Sequence, residues 1–245
     1  MRVLLILLCL LGPGIAPVRA AEPVDVLLVL VSDVSRSIDD GKYALQKQGY
    51  TAAFNDPRVL AAIRGGAIGA IGVAYVEFSA SHEVRTVLDW QVVRDATSAR
   101  AFTDAIEAAP RSFAGRISIS AGIDRAMLML GEAPFEATRR VIDVTLDGTN
   151  NSGRDAGAAR DDAVAAGVTV NGLAILTVPN PDAPAFIRNH MDPPGGLGEW
   201  VRQNVAGGPG AFVVEAKDFH SFGEALTRKL LNEIAALSAL SPARL

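Results

Sequence analysis

VDVLLVLVSDVSRS, residues 24–37, decides the fold class. Its first part, Val24–Ser32, is an unbroken β-prone run and not an alternation of apolar and polar residues. A strand with one solvated face alternates, whereas a strand covered by helices on both faces does not. The run therefore predicts a central strand of a mostly parallel sheet. It passes directly into Asp33-Val34-Ser35-Arg36-Ser37, which sets a carboxylate and two hydroxyls at alternate positions of the loop leaving that strand. In open α/β sheets the ligand crevice lies at this end of the strands.

The rest of the chain repeats the strand–helix alternation. Asp39–Phe54 mixes polar and apolar residues at helical spacing, and Asp56-Pro57 closes it. Ile68–Ser79 reads as a second strand and Val84–Val92 as a third. The polar link Ala80–Glu83 is too short for a parallel crossover, so this pair is expected to be an antiparallel hairpin. Helices are expected over Ala96–Ala109 and Ser118–Leu130, on either side of the loop Arg111–Arg116. Arg140–Leu146 is a strand ending on Asp147-Gly148, Arg154–Ala166 a helix and Thr169–Thr177 a strand. Pro179–Gly210 is a long Pro/Gly-rich connection with one short helix near Leu197–Asn204, and Phe212–Ala216 is the last strand. Phe219, Phe222, Leu226, Leu230, Ile234 and Leu237 recur at spacings of three and four and mark a terminal helix. The expected class is α/β: three layers, doubly wound, with a mostly parallel six-stranded sheet and one antiparallel edge strand. No linker or repeat divides the chain, so residues 21–245 read as one domain.

Composition narrows the function classes. With 49% hydrophobic and 20% charged residues the chain can build a core. A net charge of −4 argues against nucleic acid, which calls for a basic patch. Residues 1–20 form a distinct leader: Arg2, the apolar run Val3–Leu11, the breakers Gly12-Pro13-Gly14, then Val18-Arg19-Ala20. That is the layout of a signal peptide cleaved after Ala20. Its apolar run is too short to cross about 30 Å of hydrocarbon, so no stable membrane anchor is expected after cleavage. The expected location is exported, periplasmic or secreted. Cys9, the single cysteine, falls in this leader, so no disulfide holds the mature fold.

Asp147-Gly148 places a second carboxylate at the end of a second buried strand. Asp33, Ser35, Ser37 and Asp147 together offer only oxygen donors. Such a set suits Mg²⁺ or Mn²⁺, with water filling the remaining positions, better than zinc, which favours His and Cys. Taken alone, the first motif has a plainer reading: Ser37 or Asp39 capping the helix that follows.

Three loops then meet a known family. DVSRS at 33–37, GRISIS at 115–120 and LDGTNN at 146–151 resemble, in order and spacing, the loops of von Willebrand factor A domains. The stretches ALQKQGYTAAFNDP (44–57), RRVIDVTLDGTNNSG (139–153), TVNGLAIL (169–176) and GGPGAFVV (207–214) are similar to an uncharacterised family of exported bacterial proteins carrying this domain. The resemblance covers roughly residues 24–236. It implies neighbouring first and fourth strands that bring Asp33 to Asp147. It also implies a metal-ion-dependent adhesion site on Asp33, Ser35, Ser37 and Asp147, completed by a carboxylate from a protein partner. Where the family has a threonine in the second loop, this chain has Ile117, which offers no oxygen. Ser118 beside it is the candidate replacement.

The remaining signals are weaker. Asp39-Asp40 is one residue short of the spacing of a second, adjacent metal site and fits a helix start. His82, His190 and His220 lie far apart and read as solvated. Trp90 reads as core, and Trp200 as a possible interface anchor. Arg139-Arg140 reads as a solvated edge. No nucleophile elbow or phosphate loop is present, and Ser35 stands where an aspartyl phosphatase places its second Asp. A non-enzymatic binding module is therefore expected. The alternatives are a structural or scaffold domain with a vestigial metal site and, behind it, a metal-dependent hydrolase.

Overall fold

The structure is a computed structural model and describes residues 21–235. The leader and its cleavage site lie outside these residues, as does Leu237.

In chain order the elements are β1 (Glu22–Pro23), β2 (Leu27–Asp33), α1 (Asp40–Phe54), α2 (Pro57–Arg64), β3 (Ile71–Phe78), β4 (Val84–Val93), α3 (Ala96–Ala108) and α4 (Ile119–Gly131). They continue with β5 (Phe135–Glu136), β6 (Arg140–Leu146), α5 (Ala156–Ala165), β7 (Thr169–Ile175), α6 (Ala185–Met191), α7 (Leu197–Asn204), β8 (Val213–Ala216) and α8 (Phe222–Ala235). The main sheet has six strands in the order β4-β3-β2-β6-β7-β8, and β1 pairs with β5 alone. Every neighbouring pair of the main sheet is parallel except β3 and β4. The expected hairpin is thus the antiparallel edge.

Every residue of β2 is buried, the physical meaning of its unbroken apolar run. Leu28 and Leu30 face one layer, with Tyr50, Phe54, Phe102, Phe222 and Leu226 from α1, α3 and α8. Leu27, Val29 and Val31 face the other, with Ile119, Ile123, Ala159 and Val201 from α4, α5 and α7. Winding proceeds from β2 to β3 and β4 on one side and from β6 to β7 and β8 on the other. The reversal falls between β2 and β6, which run in register from Leu27↔Arg140 to Ser32↔Thr145. The carboxyl ends of these two strands form the switch-point crevice.

Several local expectations change. Asp56-Pro57 ends α1 but also opens α2, since the Asp56 carboxylate accepts the Arg58 amide and proline is favoured in a first helical turn. Asp39 caps α1 by accepting the Lys42 amide, as acidic residues at a helix start do. The connection Pro179–Gly210 holds two helices, not one; the second, α7, is the one the sequence marks. Arg139 and Arg140 are half-buried, not a solvated edge, and Arg140 donates to the Ala166 carbonyl. Trp90 packs against the α4 layer and gives its indole N–H to Met129 O, while Trp200 is half-buried against the same layer.

One buried feature escaped the sequence reading. Lys229 of α8 is fully buried, with its ammonium 2.6 Å from Asp143 and 2.7 Å from Glu233. Asn171 donates a further hydrogen bond to Glu233 at 2.9 Å. Two carboxylates thus share one cation beneath α8. Burial and the Asp143 charge push Glu233 up to about 7, against the pull of Lys229.

Candidate metal centre

The loop after β2 is built to turn sharply. The Ser35 amide donates to Asp33 Oδ1 at 2.7 Å, and Ser35 Oγ lies 3.1 Å from Ser37 Oγ. Ser37 Oγ in turn donates to Asp147 Oδ1 at 2.6 Å. The structure therefore brings Asp33, Ser35, Ser37 and Asp147 into one chain of contacts at the switch point. Asp33 and Asp147 are both fully buried, and Asp33 Oδ2 and Asp147 Oδ2 have no hydrogen-bond partner.

That arrangement is electrostatically incomplete. Burial first, then the neighbouring Asp147 charge, pushes Asp33 up to about 8. Burial likewise raises Asp147, against the hydrogen bond from Ser37 and the charge of Lys42. Two buried carboxylates side by side need a proton or a cation between them. Lys42 supplies a distant one: its ammonium lies 3.8 Å from Asp147 Oδ2 and is committed to Ser37 O at 2.7 Å. Two orphaned oxygens beside two hydroxyls fit a divalent ion held by oxygen donors.

Residues that sequence spacing did not single out brace this loop. Arg111 donates to Val34 O at 2.8 Å and to Ser35 O at 2.6 Å, clamping the loop from behind. Glu77 is buried and accepts from Tyr43 Oη at 2.7 Å and from the Ser112 amide at 2.9 Å, which fixes the segment carrying Arg111. Nothing in the spacing of Arg111 or Glu77 signals this, because the contacts span distant parts of the chain.

The second loop lies against the third. Ile117 O accepts the amides of Asn151 and Ser152 at 2.9 Å each, and the Ile117 amide donates to Asn151 Oδ1 at 2.9 Å. The Ile117 side chain is buried in the α4 layer. Ser118 is the N-cap of α4: its Oγ accepts the Ala121 amide at 3.4 Å and sits 3.3 Å from Ser120 Oγ. It makes no hydrogen bond to Asp33, Ser35, Ser37 or Asp147.

His82 and His220 are exposed, as expected, but His190 is not simply solvated. It ends α6 against the third loop, with Nδ1 2.9 Å from Thr149 Oγ1 and its carbonyl accepting the Thr149 amide at 2.9 Å. Burial and nearby Arg116 lower its pKa. A Cβ on Gly148 would stand 2.7 Å from His190 Nε2, so glycine is what lets α6 close on this loop. Among the described residues no group of three or more His, Cys, Asp or Glu side chains is placed to hold a metal, so any ion here depends on the serines.

Comparison with known proteins agrees with this architecture. The family described as "Protein of unknown function (DUF1194)" matches residues 23–238, and the chain belongs to it. No curated protein sequence matches it. Among solved structures it is similar to proximal thread matrix protein 1 from the mussel byssus, with 16% identity, a TM-score of 0.58, and 87% of this chain and 49% of that one covered. A second structure of that protein has a zinc-occupied MIDAS motif, the metal-ion-dependent adhesion site. The pilus adhesin SpaC from Lactobacillus rhamnosus GG aligns at 16% identity and a TM-score of 0.57, over 89% of this chain and 31% of that one. A von Willebrand factor type A structure from Catenulispora acidiphila aligns at 15% identity and a TM-score of 0.55, over 85% and 42%. The fold is that of von Willebrand factor A domains, and this chain spans about half or less of these chains.

Proposed function

We propose that this protein is an exported, non-enzymatic binding module that recognises a protein partner through a Mg²⁺ or Mn²⁺ ion held by Asp33, Ser35, Ser37 and Asp147. The observation that carries this reading is the pair of buried, unpartnered carboxylate oxygens, Asp33 Oδ2 and Asp147 Oδ2, flanked by two serine hydroxyls. A bound ion would supply positive charge able to accept a carboxylate from the partner. Arg111 and Glu77 hold the loop in position. The adhesin and matrix proteins that share the fold support a binding role. Among the described residues no helix is long and apolar enough to cross a membrane. We place the domain over residues 21–245.

Ser118 is engaged at the α4 N-cap, so the proposed ligand set is the other four residues. Calorimetric titration tests it: the chain should bind one Mg²⁺ or Mn²⁺ ion, and Asp33→Ala should abolish binding. Equal binding by the two proteins would falsify the site. If metal binds neither, the buried carboxylates favour the second reading, a scaffold domain with a vestigial site, for which Ile117 is the supporting observation.

A further inference from the structure

The rim of the crevice carries charge and apolar surface that the metal reading does not use. Arg36 projects from the first loop and Arg116 from the second; both are exposed. The Arg36 amide donates to Gly115 O at 3.0 Å, so the two loops meet at the mouth and bring the backbone positions of the two arginines together. Among the described residues neither guanidinium has a carboxylate or hydrogen-bond partner, although the chain has more acidic than basic residues. Of the acidic residues on these loops and the start of α1, Asp39 caps α1 and Glu83 accepts the Ala80 amide, while the exposed Asp40 lies 3.8 Å from Arg111.

Next to the arginines, α6 has no buried residue. Of the five large apolar side chains exposed on the described surface, two lie in α6, Phe186 and Ile187 at 74% and 36% exposure, and Val178, at 96%, lies in the segment leading to it. Phe186 and Ile187 precede His190 by four and three residues, so all three share one helical stripe. Since His190 is fastened to Thr149, that stripe borders the crevice. Helix α6 is held by polar contacts at its end while its apolar side chains face solvent.

We propose that this rim is the docking surface for an acidic polypeptide segment that also carries apolar side chains. One carboxylate addresses the metal centre, a neighbouring one pairs with Arg36 and Arg116, and an adjacent apolar side chain covers Phe186 and Ile187. The proposal rests on the metal reading for the first contact only. Charge complementarity selects the acidic partner, and the exposed α6 stripe selects a peptide over a purely hydrophilic polyanion.

Selection of peptides from a displayed random library on the full chain in Mn²⁺ tests this. Enriched sequences should pair acidic residues with a leucine, isoleucine or phenylalanine within a few positions. The affinity of a synthesised winner should fall about tenfold in the Arg36→Ala/Arg116→Ala double variant and about tenfold in Phe186→Ser, with unchanged melting. All three sites are exposed, so folding should be unaffected. Enrichment of neutral or basic peptides, or none, overturns the proposal. So does displacement of the winner by an acidic polysaccharide as readily as by free peptide. Metal-dependent binding indifferent to both variants overturns the docking surface and leaves the metal centre standing. Binding that responds to both variants but not to chelation or Asp33→Ala supports the docking surface and removes the metal centre.

Discussion

Ser37 Oγ donates to Asp147 Oδ1 at 2.6 Å, joining residues 110 positions apart at the two strand ends where the winding of the sheet reverses. This contact makes one site of two loops that the sequence presents separately. Its consequences can be tested through the protons and cations that it gathers.

Stability should fall with rising pH in the metal-free protein. Asp33 is raised from 3.8 to about 8 and Glu233 from 4.5 to about 7. A carboxyl whose folded pKa lies above its unfolded value stabilises the fold fully below the unfolded value and loses that contribution as pH rises through the folded one. The loss should run from about pH 4 to about pH 8. The helix-capping carboxylates Asp56 and Asp95, and Asp218 in the turn before α8, are shifted downward by hydrogen bonds, so their contribution is lost only in acid below this window. Saturating Mg²⁺ competes with the Asp33 proton, so the melting-temperature gain it gives should grow with pH across the same range. Melting with and without chelator checks this; a metal-induced gain that stays flat with pH contradicts it.

Metal is not expected to be needed for folding. The two core layers are largely apolar and the site lies at the strand ends, outside both, so chelated protein should keep its circular dichroism. Added metal should contribute only RT ln(1 + [L]/Kd) of stability. An unfolded spectrum after chelation would make the ion structural.

Ile117 and Ser118 should separate in their effects. Ile117→Thr puts a hydroxyl into the buried α4 layer, and should cost about 1 kcal/mol or more while tightening metal binding only if the new oxygen reaches the site. Ser118→Ala removes the α4 cap and should cost about 1 kcal/mol without changing Mg²⁺ affinity. A lower affinity in Ser118→Ala would return Ser118 to the ligand set.

Gly148→Ala and His190→Ala should show strong coupling. A methyl at Gly148 collides with the His190 ring, so the single variant should destabilise by about 1–3 kcal/mol. In a His190→Ala background that cost should largely vanish, as a double-mutant cycle in chemical denaturation will measure.

Much of the fold was written in β2 and its neighbours. The unbroken run at Val24–Ser32, the short Ala80–Glu83 link and the stripe of α8 fixed the class, the antiparallel edge and the layers, because burial on two faces leaves a pattern in a strand. Helix α6 left none: its seven residues bury nothing, so no periodicity marks it, and with it His190 went unplaced. The metal loops were legible by resemblance, whereas Lys42, Arg111 and Glu77 act through contacts that linear spacing does not encode. Lys229 and Glu233 did leave a signal. They follow Leu226 and Leu230 by three residues each, inside the apolar stripe and not opposite it.

Lys229→Met should destabilise the fold by about 3–5 kcal/mol, because it leaves Asp143 and Glu233 buried without their cation. Urea denaturation of Lys229→Met and of Lys229→Met/Asp143→Asn/Glu233→Gln checks this, with the triple variant expected to recover most of the loss.

The same cation ties α8 to the middle of the sheet, since Lys229 belongs to the helix and its partner Asp143 to β6. A protease that trims past Lys229 would leave every described strand intact but a bare carboxylate inside the sheet layer. Such a product is expected to stay open and be cleared. In that sense α8 is a closing piece of the fold and not an appendage to it.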